Sequence, residues 1–318
     1  MQLEQHMALE SGIPIPVAQH NSHDDSFPRS DVPINVTIDQ LVPPIAAKGA
    51  TSLDIAGTKV SMSKALAVRK KFHPHLKCLS DVFICYGLKE FNGEEIFESF
   101  VDDEWLSTKF MSYFVVCLSH DESIHMAEGA GYRVFLSPEI GEYVNIEEDE
   151  GFSQWDSPPA LAILQRDIEH IDPTKVKLFF LPVMEEDHYS VYCINFIHDR
   201  IDVLDSSPED HTIYHNVLGD RIIRRLNLLF QLATDYRVKQ FTRFKRPIID
   251  VCMHSHENDC GFFTIKFMEL WNGESFHVPI LTANGRLYRS ELLFYGLYHP
   301  LNTIKKLPAG LEAYRPSS

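Results

Sequence analysis

Cysteine, positive charge and long apolar runs are all scarce in this chain of 318 residues, and each scarcity removes a class of function. Six cysteines (Cys78, Cys85, Cys117, Cys193, Cys252 and Cys260) are too few for a disulfide scaffold, and they contain no Cys-x-x-Cys pair of the kind that holds structural zinc. Lys and Arg number 29 against 45 Asp and Glu, a formal charge of −16. Carboxylates in such excess oppose a phosphate backbone, so no nucleic-acid partner is expected. The longest apolar stretch, from Phe110 to Leu118, is about half of the ~18 residues that a bilayer span needs, so no membrane partner is expected either. The start, MQLEQHMALESG, lacks the basic-then-apolar pattern of a signal peptide. These features predict an intracellular setting, nucleus or cytoplasm, with free thiols.

What is present is an ordinary globular composition, 44% hydrophobic and 23% charged, enough to bury a core. Residues 1–60 carry scattered Pro, Ser, Asp and His without a sustained period of 3.6 or 2, and read as a flexible leader. The basic cluster Arg69-Lys70-Lys71 reads as a solvated helix face. A domain is expected over residues 80–310. Its first part, Glu94 to Leu118, has aromatic residues returning to one side at helical spacing, with a break at Val101-Asp102-Asp103-Glu104. The carboxylate-rich segment from Tyr143 to Gly151 reads as an exposed loop.

Strand signals follow at Val176–Met184, Tyr189–Ile197 and Arg200–Leu204, which predict three adjacent antiparallel strands. Asn216 to Thr234 has the apolar spacing of an amphipathic helix. A strand-like piece at Ile248–Cys252 leads into a second strong helix from Cys260 through Trp271, and Leu287–Tyr298 suggests a last one. Helix, then sheet, then helices argues for one α+β domain.

Among the thiols, Cys260 stands apart. It opens a helix, where free N–H groups and the helix dipole favour an anion, and the preceding Asn258-Asp259 could cap that helix. Gly261 removes a side chain that would crowd a carbonyl approaching the sulfur. A nucleophilic thiol needs a base, and the base an orienter. His188 heads one predicted strand and Asp205 ends the next, so a hairpin would set the two side by side. His198 and Asp199 fall at the other end of that hairpin, in its turn.

His188-Tyr189, Leu204-Asp205-Ser206 and Asp259-Cys260-Gly261-Phe262-Phe263, in this order and spacing, resemble the catalytic domain of the SUMO and ubiquitin-like-protein-specific cysteine proteases. The likeness covers about residues 95–275, and Lys-Phe-Met-Glu-Leu-Trp at its end looks most like plant members. The resemblance implies a papain-like fold, with a central, mostly antiparallel sheet flanked by helices. It implies Cys260 as nucleophile, His188 as general base and Asp205 as orienter, cleaving after the Gly-Gly terminus of a ubiquitin-like modifier, SUMO first among them, without a cofactor and as a monomer. It further implies that Trp105 and Tyr189 roof a narrow tunnel for the diglycine.

Two positions depart from the family pattern. Tyr189 stands where Trp is usual, and His254 where the family has its oxyanion-hole Gln, six residues before the nucleophile. A suitably protonated His can donate the same hydrogen bond, whereas loss of such a donor slows catalysis on the order of a hundredfold or more. His254 therefore leaves open a catalytically weak relative that binds a modifier or another protein, and a mobile-element protease with a substrate other than SUMO is a further alternative. Zinc held by Cys252, His254, His256 and Cys260 is disfavoured, because alternate residues of a strand do not converge tetrahedrally. Phe263, Phe267 and Trp271 repeat at helical spacing and read as core, and the other five cysteines as inert small hydrophobes.

Overall fold

Apolar residues occupy both parities of the chain between Leu178 and Leu204, so strands formed here must be covered on both faces. The computed structural model describes residues 62–72, 80–101, 104–125, 132–146, 148–149, 152–153, 157–278, 280 and 285–316; the leader and Cys78 lie outside them. The elements run α1 (Met62–Phe72), β1 (Val82–Tyr86), β2 (Lys89–Asn92), α2 (Gly93–Phe100), α3 (Thr108–His125), β3 (Arg133–Phe135), α4 (Pro138–Asn145), β4 (Glu148–Asp149), β5 (Phe152–Ser153), α5 (Ser157–Ile168), β6 (Leu178–Glu185), β7 (His188–Asn195), β8 (Arg200–Leu204), α6 (Thr212–Ala233), α7 (Cys260–Leu270), α8 (Gly285–Tyr298) and α9 (Ala309–Glu312).

The central sheet has the order β3-β6-β7-β8, with β3 parallel to β6 and the other pairs antiparallel. Period-2 alternation sorts its side chains into two cores. Leu178, Phe180, Val191, Cys193 and Leu204 join residues of α3, α7 and α8 on one face. Phe179, Leu181, Val183, Tyr192, Ile194, Ile201 and Val203 join α4, α5 and α6 on the other. The expected α+β class with a central, mostly antiparallel sheet flanked by helices is what forms. No helix among the described residues is long and apolar enough to cross a membrane.

The β6–β7 hairpin turns on only Glu186 and Asp187, since Glu185 pairs with His188 across it. Both turn residues have positive φ, 48° and 63°, as a two-residue turn matched to strand twist requires. The helix break falls where expected, with α2 ending at Phe100 and α3 starting at Thr108. Arg69 of α1 donates from Nε to the carbonyl of Phe100 at 2.7 Å, whereas Lys70 and Lys71 face solvent.

Three local expectations change. Tyr143–Asn145 is the last turn of α4 rather than loop, and Glu148–Asp149 pairs with Phe152–Ser153. The stretch Ile248–Cys252 makes only an isolated parallel bridge, Val203 with Ile248. Pro247 lacks the N–H that would continue a ladder, and the chain meets β8 only through Ile201 N to Lys245 O at 2.8 Å, Val203 N to Pro247 O at 3.0 Å and Ile249 N to Val203 O at 2.9 Å. Asp259 does not cap α7; its carboxylate is taken by Arg289.

Candidate active site

The tight turn places His188 at the first position of β7, and β8 delivers Asp205 just past its end, beside Leu204, which pairs with Val191. His188 Nε2 lies 2.6 Å from Asp205 Oδ1. A carboxylate only accepts, so Nε2 carries the proton and Nδ1 is the nitrogen left for a thiol. Cys260, which opens α7, lies near enough to the His188 ring to act on its titration. The Tyr189 N–H is 3.4 Å from Cys260 Sγ, and the Asp187 carbonyl 4.0 Å. The hairpin end and the helix start thus meet at the sulfur, which is fully buried.

Burial by itself would lower the His188 pKa; the hydrogen bonds to Asp205 and Cys260 and the charges behind them prevail and raise it to about 9. Burial works the other way on Asp205, opposing its charge, yet the His188 and His215 hydrogen bonds hold its carboxyl well below the usual range. The site therefore holds a formal negative charge at Asp205 and favours positive charge on His188.

His254 is buried, with its ring centroid 6.1 Å from that of His188. Its Nε2 is a buried nitrogen without a hydrogen-bond partner. Desolvation, then the nearby His188 charge, depresses its pKa below 6.5, which keeps the ring neutral. The backbone holds it in place, His254 N donating to Ser206 O at 2.9 Å.

Tyr189 is buried, its hydroxyl 3.4 Å from Thr108 Oγ1. Trp105 is 37% exposed, an unusual exposure for an indole beside a core. Its neighbour Leu106 is buried against Gly261, where an added Cβ would stand 2.9 Å from Leu106 Cβ and 3.2 Å from the Tyr189 ring. Gly261 is thus required by the packing of α7 against Leu106 and Tyr189. Phe263, Phe267 and Trp271 are core, and Trp271 Nε1 donates to Asp202 Oδ2 at 3.0 Å. Burial pushes the thiols of Cys117, Cys193 and Cys252 up, Cys117 and Cys193 far up.

Sequence reasoning missed the far side of Asp205. Its Oδ2 lies 2.8 Å from His211 Nδ1 and 2.8 Å from His215 Nε2, and Ser207 N donates to Oδ1 at 2.9 Å. His215 Nδ1 is in turn 2.9 Å from the Tyr192 hydroxyl. The available signal was the strand period, which sets Tyr192 and Val203 on the α6 face and Asp205, two residues on, with them.

Two groups of described residues bring potential metal ligands within 4.8 Å of one another, His188/Asp205/His211 and His120/Asp121/His299. In the second, Leu301 N donates to His299 Nδ1 at 3.1 Å, which leaves the proton on Nε2 facing Asp121 at 3.1 Å. In the first, both imidazoles spend an N–H on the Asp205 carboxylate. Each group is a satisfied hydrogen-bond network.

Residues 160–273 match the family model described as Ulp1 protease family, C-terminal catalytic domain. This range includes His188, Asp205, His254 and Cys260 but not Trp105. No curated protein matches the sequence. Among solved structures, the C-terminal Ulp1 protease domain in complex with Smt3, the yeast ortholog of SUMO, is similar with a TM-score of 0.53 at 13% identity. That alignment covers 77% of this chain and 98% of that one. The SUMO protease Ulp1 with its catalytic cysteine oxidised to a sulfenic acid gives 0.52 at 12%, covering 74% and 95%. The Chaetomium thermophilum Ulp1-like SUMO protease catalytic domain gives 0.50 at 10%, covering 76% and 90%. At such identities the likeness is one of fold.

Proposed function

We propose that this chain, which carries a Ulp1-type cysteine protease domain, cleaves after the C-terminal diglycine of a ubiquitin-like modifier, SUMO foremost, in precursors or isopeptide conjugates. The observation that supports the reading is His188 Nε2 at 2.6 Å from Asp205, on a hairpin end whose Tyr189 N–H lies 3.4 Å from the sulfur of Cys260 at the start of a helix. The likeness in fold to solved SUMO proteases supports SUMO as the substrate class, and the Met-Glu-Leu-Trp end of α7 favours a plant-type member.

In this reaction His188 Nδ1 takes the thiol proton and the Cys260 sulfur attacks the terminal glycine carbonyl. Negative charge moves onto the carbonyl oxygen, toward the unpartnered His254 Nε2 and the positive end of the α7 dipole. His188 then protonates the leaving amine, the C–N bond breaks and a thioester remains. Water, deprotonated by His188, attacks the thioester and returns the thiol. Asp205 keeps the imidazole in the tautomer this cycle needs. Trp105 and Tyr189 are assigned as walls of the diglycine channel, too narrow for a side chain beyond glycine.

A diglycine vinyl-sulfone form of SUMO, NEDD8 or ubiquitin tests the reading. A covalent adduct on Cys260 with at least one of them, lost in Cys260→Ala and His188→Ala, is expected; no adduct with any of the three overturns it. His254→Gln separates an efficient enzyme from the weak relative: wild-type turnover close to that of the variant supports His254 as an oxyanion donor. A rise of about a hundredfold on restoring Gln marks the binding module instead.

A further inference from the structure

The Asp205 carboxylate receives more donors than a triad needs. Oδ1 accepts from His188 Nε2 and Ser207 N, and Oδ2 faces His211 Nδ1 and His215 Nε2 at 2.8 Å each. Four N–H groups thus fill the roughly four lone-pair sites of one carboxylate. His215 is buried, on the first turn of α6, and its other nitrogen is met by the hydroxyl of Tyr192, also buried. Burial pushes the Tyr192 phenol well up, so it remains an O–H and donates to His215 Nδ1. That fixes the His215 proton on Nε2, pointing at Asp205. A chain of hydrogen bonds therefore runs from Tyr192 through His215 and Asp205 to His188, with 2.9, 2.8 and 2.6 Å steps.

We infer that His215, with His211 beside it, is a positioning residue for the cleavage reaction: the two imidazoles clamp Oδ2 so that Oδ1 is held toward His188. Neither touches Cys260 or the substrate carbonyl in this scheme; both act through Asp205. A carboxylate on the short stem after β8 can rotate about its Cβ–Cγ bond, and two donors on the far oxygen remove that freedom. With the clamp gone, Asp205 divides its time among orientations, and the His188 imidazolium loses part of its support. Tyr192 sets the tautomer at the far end.

The inference rests on the Cys260–His188–Asp205 assignment above, so its test avoids the modifier altogether. The rate of iodoacetamide alkylation at Cys260, read by mass spectrometry of its peptide at pH 7, depends on the cysteine–histidine pair and not on the substrate. His188→Ala serves as the control: if it leaves this rate unchanged, the triad assignment itself fails. Given a fall in His188→Ala, His215→Phe, which keeps a ring of similar size without the donor, is expected to lower the rate about tenfold. His215→Gln, whose amide can again donate to Oδ2, is expected within about threefold of wild type. In an Asp205→Asn background His215→Phe is expected to change nothing further, since the residue through which it acts is already disabled. An unchanged rate in His215→Phe, or the same fractional loss with and without Asp205, overturns the inference. Where His215→Phe does not fold, His211→Ala at its half-buried position carries the same test, with an expected loss of about threefold that also vanishes in Asp205→Asn.

Discussion

Arg289 and Asp259 form a buried ion pair, Nε to Oδ1 at 2.7 Å, immediately before the cysteine that opens α7. Nη1 of the same guanidinium donates to Ser99 O at 2.6 Å and Glu104 O at 2.7 Å, and Nη2 to Asn258 O at 2.7 Å. The group also stacks 4.3 Å from the Phe262 ring centroid. One side chain of α8 thereby fastens the end of α2, the residue preceding Trp105 and the turn that delivers Cys260. The backbone is cut to suit: a Cβ on Gly285 would stand 2.0 Å from the Asp259 carboxyl carbon.

Arg289→Met is therefore expected to destabilise the fold by about 3–5 kcal/mol, because it strands the buried Asp259 carboxylate as well as three carbonyls. Arg289→Lys recovers little, since a single ammonium cannot reproduce the planar fork. Urea unfolding of the variants checks both, and a midpoint unchanged in Arg289→Met would show that the pair holds nothing.

The pH response follows from the directions at His188 and Asp205. His188, raised to about 9, contributes stability that is fully present below its unfolded value near 6.5 and is lost as pH rises through about 9. Asp205, depressed, contributes stability that is present above its unfolded value near 4 and is lost in acid. Thermal melts across pH are expected to show both flanks in wild type and to lose the alkaline one in His188→Asn. On the proposed mechanism, the alkaline limb of kcat/KM on a diglycine-modifier substrate should fall near pH 9, where the His188 imidazolium disappears. A limb at 7 or below contradicts the stabilised imidazolium.

Trp105 is 37% exposed, so truncating it should leave the fold nearly intact while removing the proposed channel wall. Trp105→Ala is expected to lower kcat/KM on the modifier substrate by about tenfold or more, with the melting temperature almost unmoved. Iodoacetamide alkylation of Cys260 should be unchanged or faster. A large drop in stability without a specific kinetic effect would make Trp105 a core residue.

Glu186 holds φ at 48° in the hairpin turn, a region that Asn adopts at less cost than Glu. Glu186→Asn should raise stability by about 0.5–1 kcal/mol with the Cys260 alkylation rate unaltered. Destabilisation would mean that the glutamate side chain matters more than the turn.

Much of this arrangement was legible in the residues. Runs dense in β-branched and aromatic side chains gave β6, β7 and β8 to within two residues, and the hairpin they imply sufficed to bring His188 beside Asp205. Local patterns failed where elements are short or are held by distant partners. Arg133–Phe135 is three residues of β3, too brief to show a period, and the eight-residue α4 begins at a proline that reads equally well as a turn. Asn258-Asp259 read as a helix cap because the competing partner, Arg289, lies 30 residues further on. The clamp on Asp205 was out of reach because it depends on the first turn of α6, which starts at Thr212, four residues ahead of the apolar period that signalled it.

The two-sided sheet has a kinetic corollary. Asp205 and the imidazoles on its far oxygen belong to the layer of α6, whereas Cys260, the proposed nucleophile, opens α7 across the sheet. A partly folded chain that had assembled either layer alone would carry a thiol without its base or a base without its thiol. Peptidase competence should therefore appear in the final, cooperative phase of refolding, which makes turnover a late reporter of folding and leaves nascent chains unable to cleave.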